Sequence, residues 1–414
     1  MSRRTPYWMG LLLLGGLLLS GFDISPQVNA QLQPLTPEYT FGDQITFRVE
    51  VPPGLSFSEV KVIFQSQGDT IPQEATALPS GEDVFSASFK MTEKPLRAFA
   101  LVTYWFMAIT QDNQQLSSPK TTFRYEDNGS DRQTLEEGPF RIRWYEGDET
   151  FAQSVLAVAQ KSLDQVQKRL GATPPEQINI YIYANALDLQ AALRLGHVNW
   201  IAGHADSDLG VMLVSLPSGP EQRTLIQQLI PHELSHIMLY QLVGQDSYKN
   251  IPAWLNEGLA SIAELSPNPD YDRILKKAKE KNSFIPLASL CQSFPLDASG
   301  AFLAYAESEW FTRYLVEQYG ESGVQELLAA YANGMGCERA PESALGKPLA
   351  QIEREWLQAK LGTNALQSAI GELLPWLLLL VLALAAPVGA AIVSERKRVL
   401  KVADSQATRT GGVR

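Results

Sequence analysis

Histidine and cysteine are scarce in this 414-residue chain, which has four of the first and two of the second. Two cysteines exclude a scaffold stapled by several disulfides and leave room for one bridge at most. Cys291 and Cys337 are either that bridge or two small buried apolar residues, and their spacing does not decide between these. Positive charge is also short: 34 Lys and Arg against 45 Asp and Glu give a net charge of -11. No basic stripe is found outside the C-terminal tail, and a nucleic-acid partner is excluded because it needs clustered cations to replace counterions.

Long apolar runs occur only at the two ends. Arg3-Arg4, an apolar stretch from Tyr7 to Leu19 and then Val28-Asn29-Ala30 read as a signal peptide over residues 1–30. The other possibility is that this stretch stays as a second anchor. Leu373 to Val393 carries no charge, and roughly 20 such residues match the apolar thickness of a bilayer. Arg396, Lys397, Arg398 and Lys401 follow it. They place residues 394–414 as a cytoplasmic tail and the main body outside a cell membrane, with the chain crossing once.

Between these ends the pattern changes once. Over residues 31–127 short alternating runs such as Gln44–Val51 and Val60–Phe64 are separated by Pro and Gly turns, which predicts a small antiparallel β-sandwich. Residues 128–138 are polar and read as a linker. Residues 139–362 read as an α+β domain that is mostly helical. Phe151 to Leu170 has helical spacing and stops at Gly171, Ile178 to Tyr183 and Gly210 to Leu216 look like buried strands, and helices follow to about Leu361.

The chemistry is concentrated in Pro231-His232-Glu233-Leu234-Ser235-His236. Residues four apart on a helix share a face, so both imidazoles reach one ion, and the glutamate between them stands where it can hold a water. With so few histidines in the chain, two of them flanking a glutamate at this spacing is not a chance arrangement. Thr224-Leu225-Ile226-Gln227 offers a helix start and Gly244 a stop, and at Pro231 the helix either kinks or begins. A catalytic zinc needs a third protein ligand and an open position. The downstream sequence supplies no good imidazole or thiolate, but Glu257 lies in Trp254-Leu255-Asn256-Glu257-Gly258, just after Pro252, a good first helical residue. Glu257 is therefore the third ligand of a single Zn2+, with Glu233 as the catalytic base. Glu264, two helical turns on, is either a partner behind a ligating imidazole or a solvated helix charge.

The pair His232-Glu233-x-x-His236 and Asn256-Glu257-Gly258-Leu259-Ala260 resembles the gluzincin metallopeptidases, most closely the peptidase MA-like family related to aminopeptidase N. The resemblance covers residues 139 to 360. It implies a zinc peptidase fold, a peptide or protein substrate, and a second glutamate at the place of Glu264. It also implies that Tyr305, in Tyr305-Ala306-Glu307-Ser308, is the catalytic hydroxyl that donates to the oxyanion; the alternative is an amphipathic tyrosine on a packed helix. The Lys-Gly that follows such a tyrosine in aminopeptidases is absent here, as is the Gly-Ala-Met-Glu-Asn segment that grips a free amino terminus, so exopeptidase action is not implied. In such enzymes an edge strand before the metal helix accepts substrate backbone, and here Gly203-His204 and the strand Gly210 to Leu216 occupy that stretch. His204 reads as a satisfied loop histidine and His197 as a weaker candidate. The expected function is extracytoplasmic peptide-bond hydrolysis. Its rivals are a catalytically silent binding protein on the same scaffold and a zinc hydrolase of a non-peptide amide.

Overall fold

A computed structural model describes residues 31–193, 202–362, 373–376 and 378–379. The expected signal peptide, the tail and most of the expected span at 373–393 lie outside the described residues, as does His197. Among the described residues no helix is long and apolar enough to cross a membrane. The described residues divide into two compact units, with the boundary between Gly129 and Ser130.

The first unit is built of antiparallel strands. One sheet has the order β1-β2-β6-β5, made of β1 (Gln33–Thr40), β2 (Gln44–Glu50), β5 (Leu78–Gly81) and β6 (Val84–Lys90). The other has the order β4-β3-β7-β8, made of β3 (Phe57–Ser66), β4 (Gln73–Thr76), β7 (Leu101–Thr110) and β8 (Gln115–Ser117), with β9 (Thr121–Arg124) also paired to β7. Alternation along β2, β3 and β7 sends every second side chain into one core. There Phe47 lies between Phe64 and Tyr104, with ring centroids 5.3 and 5.0 Å away.

The second unit opens with β10 (Gln133–Glu137) and β11 (Phe140–Trp144), an antiparallel pair. The second half of the stretch that reads as a linker thus holds an edge strand. Its residues are almost all exposed, so no burial pattern marks it in the sequence, and its main-chain pairing with β11 alone defines it. After β11 comes α1 (Glu149–Leu170), capped by the Asp148 carboxylate on the N–H of Phe151 and ended by Gly171 at φ 71°. Then follow β12 (Ile178–Tyr183), α2 (Ala186–Leu193), β13 (Gly203–Asp206) and β14 (Val211–Ser215). The sheet order is β10-β11-β12-β14-β13, with β11, β12 and β14 parallel and both outer strands antiparallel. β12 and β14 are buried at every residue, as central parallel strands are. The strand expected at Gly210 to Leu216 is therefore internal, and the edge is β13, which reads as a loop because it is only four residues long.

The remainder is helical: α3 (Gln222–Val243), α4 (Gln245–Tyr248), α5 (Ala253–Ala263), α6 (Asp270–Lys281), α7 (Ala298–Ala332), α8 (Ala340–Leu345) and α9 (Leu349–Leu361). α3 begins two residues before Thr224, with Glu221 at its cap and no capping side chain, so the expected capping box is not used. Pro231 lies inside α3. Gly320, at φ 71°, divides α7 into two helices. Trp254 at the start of α5 is fully buried against Phe311 and Tyr331 of α7, with centroids 5.1 and 6.4 Å apart. Cys291 and Cys337 are joined as a disulfide.

Candidate metal centre

α3 carries His232 and His236 one turn apart, and their rings lie 5.1 Å apart. α5 brings Glu257 to them. Its Oε2 is 3.3 Å from Nε2 of His232 and 3.6 Å from Nε2 of His236. Ligand atoms at 2.0–2.1 Å from a tetrahedral zinc stand about 3.3 Å from one another, so the spacing fits one ion. The three residues offer ligand atoms within 4.8 Å of each other and could hold a metal. Glu257 Oε2 is also buried without a well-formed hydrogen bond, an expense a fold rarely carries at a carboxylate unless a cation completes it.

The far side of each ring is fixed. Nδ1 of His232 faces Oε1 of Glu264 at 3.1 Å, and Nδ1 of His236 faces Oδ1 of Asn256 at 2.9 Å. With a proton on Nδ1 donated backwards, each Nε2 presents its lone pair forward. Asn256 is held in turn, because its amide donates to the Tyr248 hydroxyl at 3.1 Å. Glu264, seven residues after Glu257, meets the same His232 ring at its other nitrogen. It is the residue at which α5 ends, with ψ at 133°, and its side chain turns back to α3.

The electrostatics are those of buried, mutually facing groups. Burial pushes Glu233 up to about 7, helped by Glu257 and Glu264 and opposed by His232 and His204. Burial lowers both imidazoles, but at His232 hydrogen bonds to Glu257 and Glu264 win and hold the ring well above its ordinary range. His236 stays below its own. Burial raises Glu257, yet the two histidines outweigh it and leave the carboxyl below the usual value.

Glu233 is 5% exposed and faces β13. A Cβ on Gly203 would press into its carboxylate, with Cδ only 3.0 Å away, so the close approach of the edge strand needs glycine there. Tyr305 stands in α7 with its ring 6.4 Å from that of His232 and 4.9 Å from that of Phe294. A cavity of about 240 Å3 opens beside these groups, with His232, Glu233 and Glu264 on its lining. Leu229, Phe302 and Ala202 give it apolar wall, while Gln228, Asn268, Tyr271 and Tyr305 contribute neutral polar groups.

The structure thus brings together all six residues singled out from the sequence: His232, Glu233, His236, Glu257, Glu264 and Tyr305. Sequence reasoning missed Tyr248, the cavity wall, the contact of Asn256 with His236 and that of Gly203 with Glu233. Gln228 was within reach, since it lies one turn before His232 on the same face of α3. Tyr271 and Phe302 come from segments with no motif and are placed by packing alone.

Residues 158–361 match the family model described as Peptidase MA superfamily. This Peptidase MA stretch begins inside α1 and ends with α9, so it contains every residue of the centre, and the chain is peptidase-like there. No match to the chain is found among curated proteins. Among solved structures, a myokine shares 10% identity over 23% of this chain and 97% of its own, at a TM-score of 0.20. A family 64 laminaripentaose-producing β-1,3-glucanase from Paenibacillus barengoltzii shares 13% over 27% of this chain and 26% of its own, at 0.18. A purple acid phosphatase from yellow lupin (Lupinus luteus) seeds shares 11% over 45% and 35%, at 0.20. Likeness at this level does not bear on the metal centre.

Proposed function

We propose that the chain is a zinc peptidase of gluzincin type, distantly related to aminopeptidase N, that hydrolyses peptide bonds outside a membrane to which residues 373–393 anchor it. The observation that carries this reading is the convergence of two imidazoles and one carboxylate, at zinc spacing, beside the buried carboxylate of Glu233. A zinc ion held by His232, His236 and Glu257 supplies Lewis acidity and lowers the pKa of a water to about 7.

The protein groups do the rest. Glu233, buried beside the two imidazoles, takes the proton of the attacking water and later delivers it to the leaving amine. Burial, and then the charges of Glu257 and Glu233, hold the Tyr305 hydroxyl above its ordinary pKa. It stays protonated at neutral pH and serves as a donor to the developing oxyanion. β13 lies along this site as the edge of its sheet, which favours an extended substrate paired through its main chain.

The cavity supports a substrate class. Among the described residues its lining has neither Lys nor Arg but includes Glu233 and Glu264, so an acidic side chain is disfavoured by like charge. An enclosed apolar cavity of about 150 Å3 holds a benzene ring. The cavity of about 240 Å3 thus admits one uncharged side chain of phenylalanine or leucine size and leaves space for the scissile group.

The test is a mixed peptide library incubated with the whole chain, with and without a zinc chelator, alongside Glu233→Gln. Cleavage that chelation abolishes, a loss of about 100-fold or more in Glu233→Gln, and unchanged zinc content in that variant are expected. Parental turnover in Glu233→Gln overturns the mechanism.

A further inference from the structure

Pro231 stands immediately before His232 inside α3. A proline has no N–H, so the carbonyl four residues back, that of Gln227, loses its helical donor. Another segment takes it: the N–H of Leu265 donates to Gln227 O at 2.8 Å. Leu265 follows Glu264, whose carboxylate sits behind His232. The end of α5 is stitched at a second point, where the Arg169 guanidinium donates to the carbonyl of Ile262 at 3.2 Å. Glu264 therefore leaves its helix between two anchored main-chain groups, and one of those anchors falls on the carbonyl that Pro231 leaves without its helical donor.

We propose that Pro231 is a positioning residue for the metal centre: its missing N–H reserves the Gln227 carbonyl for Leu265, and that bond sets Glu264 against Nδ1 of His232. The proposal rests on the metal-site reading above, but not on peptide cleavage. A proline that only bends α3 makes a different forecast. Replacing it by alanine restores a helical donor and removes a helix breaker, which on the bending view improves the fold and leaves the metal alone. On the positioning view the N–H that Pro231→Ala introduces competes with Leu265 for Gln227 O. The fold holds or improves while the hold on the metal weakens.

The experiment uses the whole chain with Pro231→Ala and, from the opposite side, Leu265→Pro, which removes the donor without touching α3. Zinc affinity is read by competition with a chromophoric chelator, thermal stability by melting of the metal-free protein, and protection of the Leu265 amide in Pro231→Ala by hydrogen exchange without metal. We expect zinc affinity to fall about 10- to 100-fold in both variants, the range seen when a partner behind a ligand is lost. In Pro231→Ala the melting temperature should be equal or higher and the Leu265 amide should exchange faster. In a Glu264→Ala background Pro231→Ala should have no further effect on zinc. Parental zinc affinity in either variant, or an undiminished loss in the Glu264→Ala background, overturns the proposal. A chain that binds zinc as expected but cleaves nothing refutes the peptidase reading and leaves this one standing.

Discussion

Nδ1 of His232 and Oε1 of Glu264 meet at 3.1 Å although they lie 32 residues apart and Glu264 stands just past the end of its helix. The carboxylate accepts from Nδ1–H and holds the imidazole in orientation, so that Nε2 would be the nitrogen given to zinc. Replacing Glu264 by Gln puts a weaker acceptor there. Zinc affinity should fall about 10- to 100-fold, read by chelator competition, with secondary structure unchanged by circular dichroism.

Tyr305 is expected to act on the transition state and not on the metal. Tyr305→Phe keeps the ring packed against Phe294 and removes only the hydroxyl. Turnover should drop about 100- to 1,000-fold, with KM close to the parent and zinc content the same. A rise in KM at parental kcat would reassign Tyr305 to substrate binding.

Gly258 lies next to Glu257 where α5 crosses α7. A Cβ there would collide with the Thr312 side chain and come within 2.5 Å of the Ser308 carbonyl oxygen. Gly258→Ala should therefore push the two helices apart at a cost of about 1–3 kcal/mol. It should also weaken zinc binding, because Glu257 moves with its helix. Melting and zinc titration of the same sample check both.

Glu307 is fully buried, and its carboxylate accepts the N–H of Ile285 at 3.0 and 3.3 Å. Burial raises it to about 8 from an ordinary 4.5, against the pull of that N–H. The folded chain thus keeps a proton that the unfolded chain releases above 4.5. The stability linked to it is fully present below 4.5 and is lost as pH rises to about 8. Denaturant melts at constant zinc load should show stability falling across that window, on the order of a few kcal/mol in all. Glu307→Gln, which cannot titrate, should flatten the slope.

Much of the site was legible because its signals are local. The spacing of His232, Glu233 and His236 is a property of one helix, and Asn256-Glu257 closely follows a proline that marks a helix start. The fold was legible where burial has a period, as in β2, β3 and α1. It was not legible where main-chain pairing alone defines an element: β10 has almost no buried residue, and β13 is four residues long. Helical spacing carries Glu264 two turns on from Glu257, to the position at which the chain leaves α5. The exit depends on the hydrogen bond from Leu265 to Gln227, between residues 38 apart, a contact no local pattern encodes. Tyr271 and Phe302 enter the cavity for the same reason, through tertiary packing.

The Cys291–Cys337 disulfide reaches α5, the helix that carries Glu257, from two directions. The Cys291 carbonyl accepts the N–H of Ala253, the first residue of α5. The Cys337 carbonyl accepts the Tyr331 hydroxyl at 2.9 Å, and the Tyr331 ring packs on Trp254, the second residue of α5. Copies of the chain synthesised where thiols stay reduced begin α5 without that brace, and copies exported to an oxidising space acquire it. Two batches with identical sequence and equal zinc supply can thus differ in how firmly they grip the ion, according to the redox history of each.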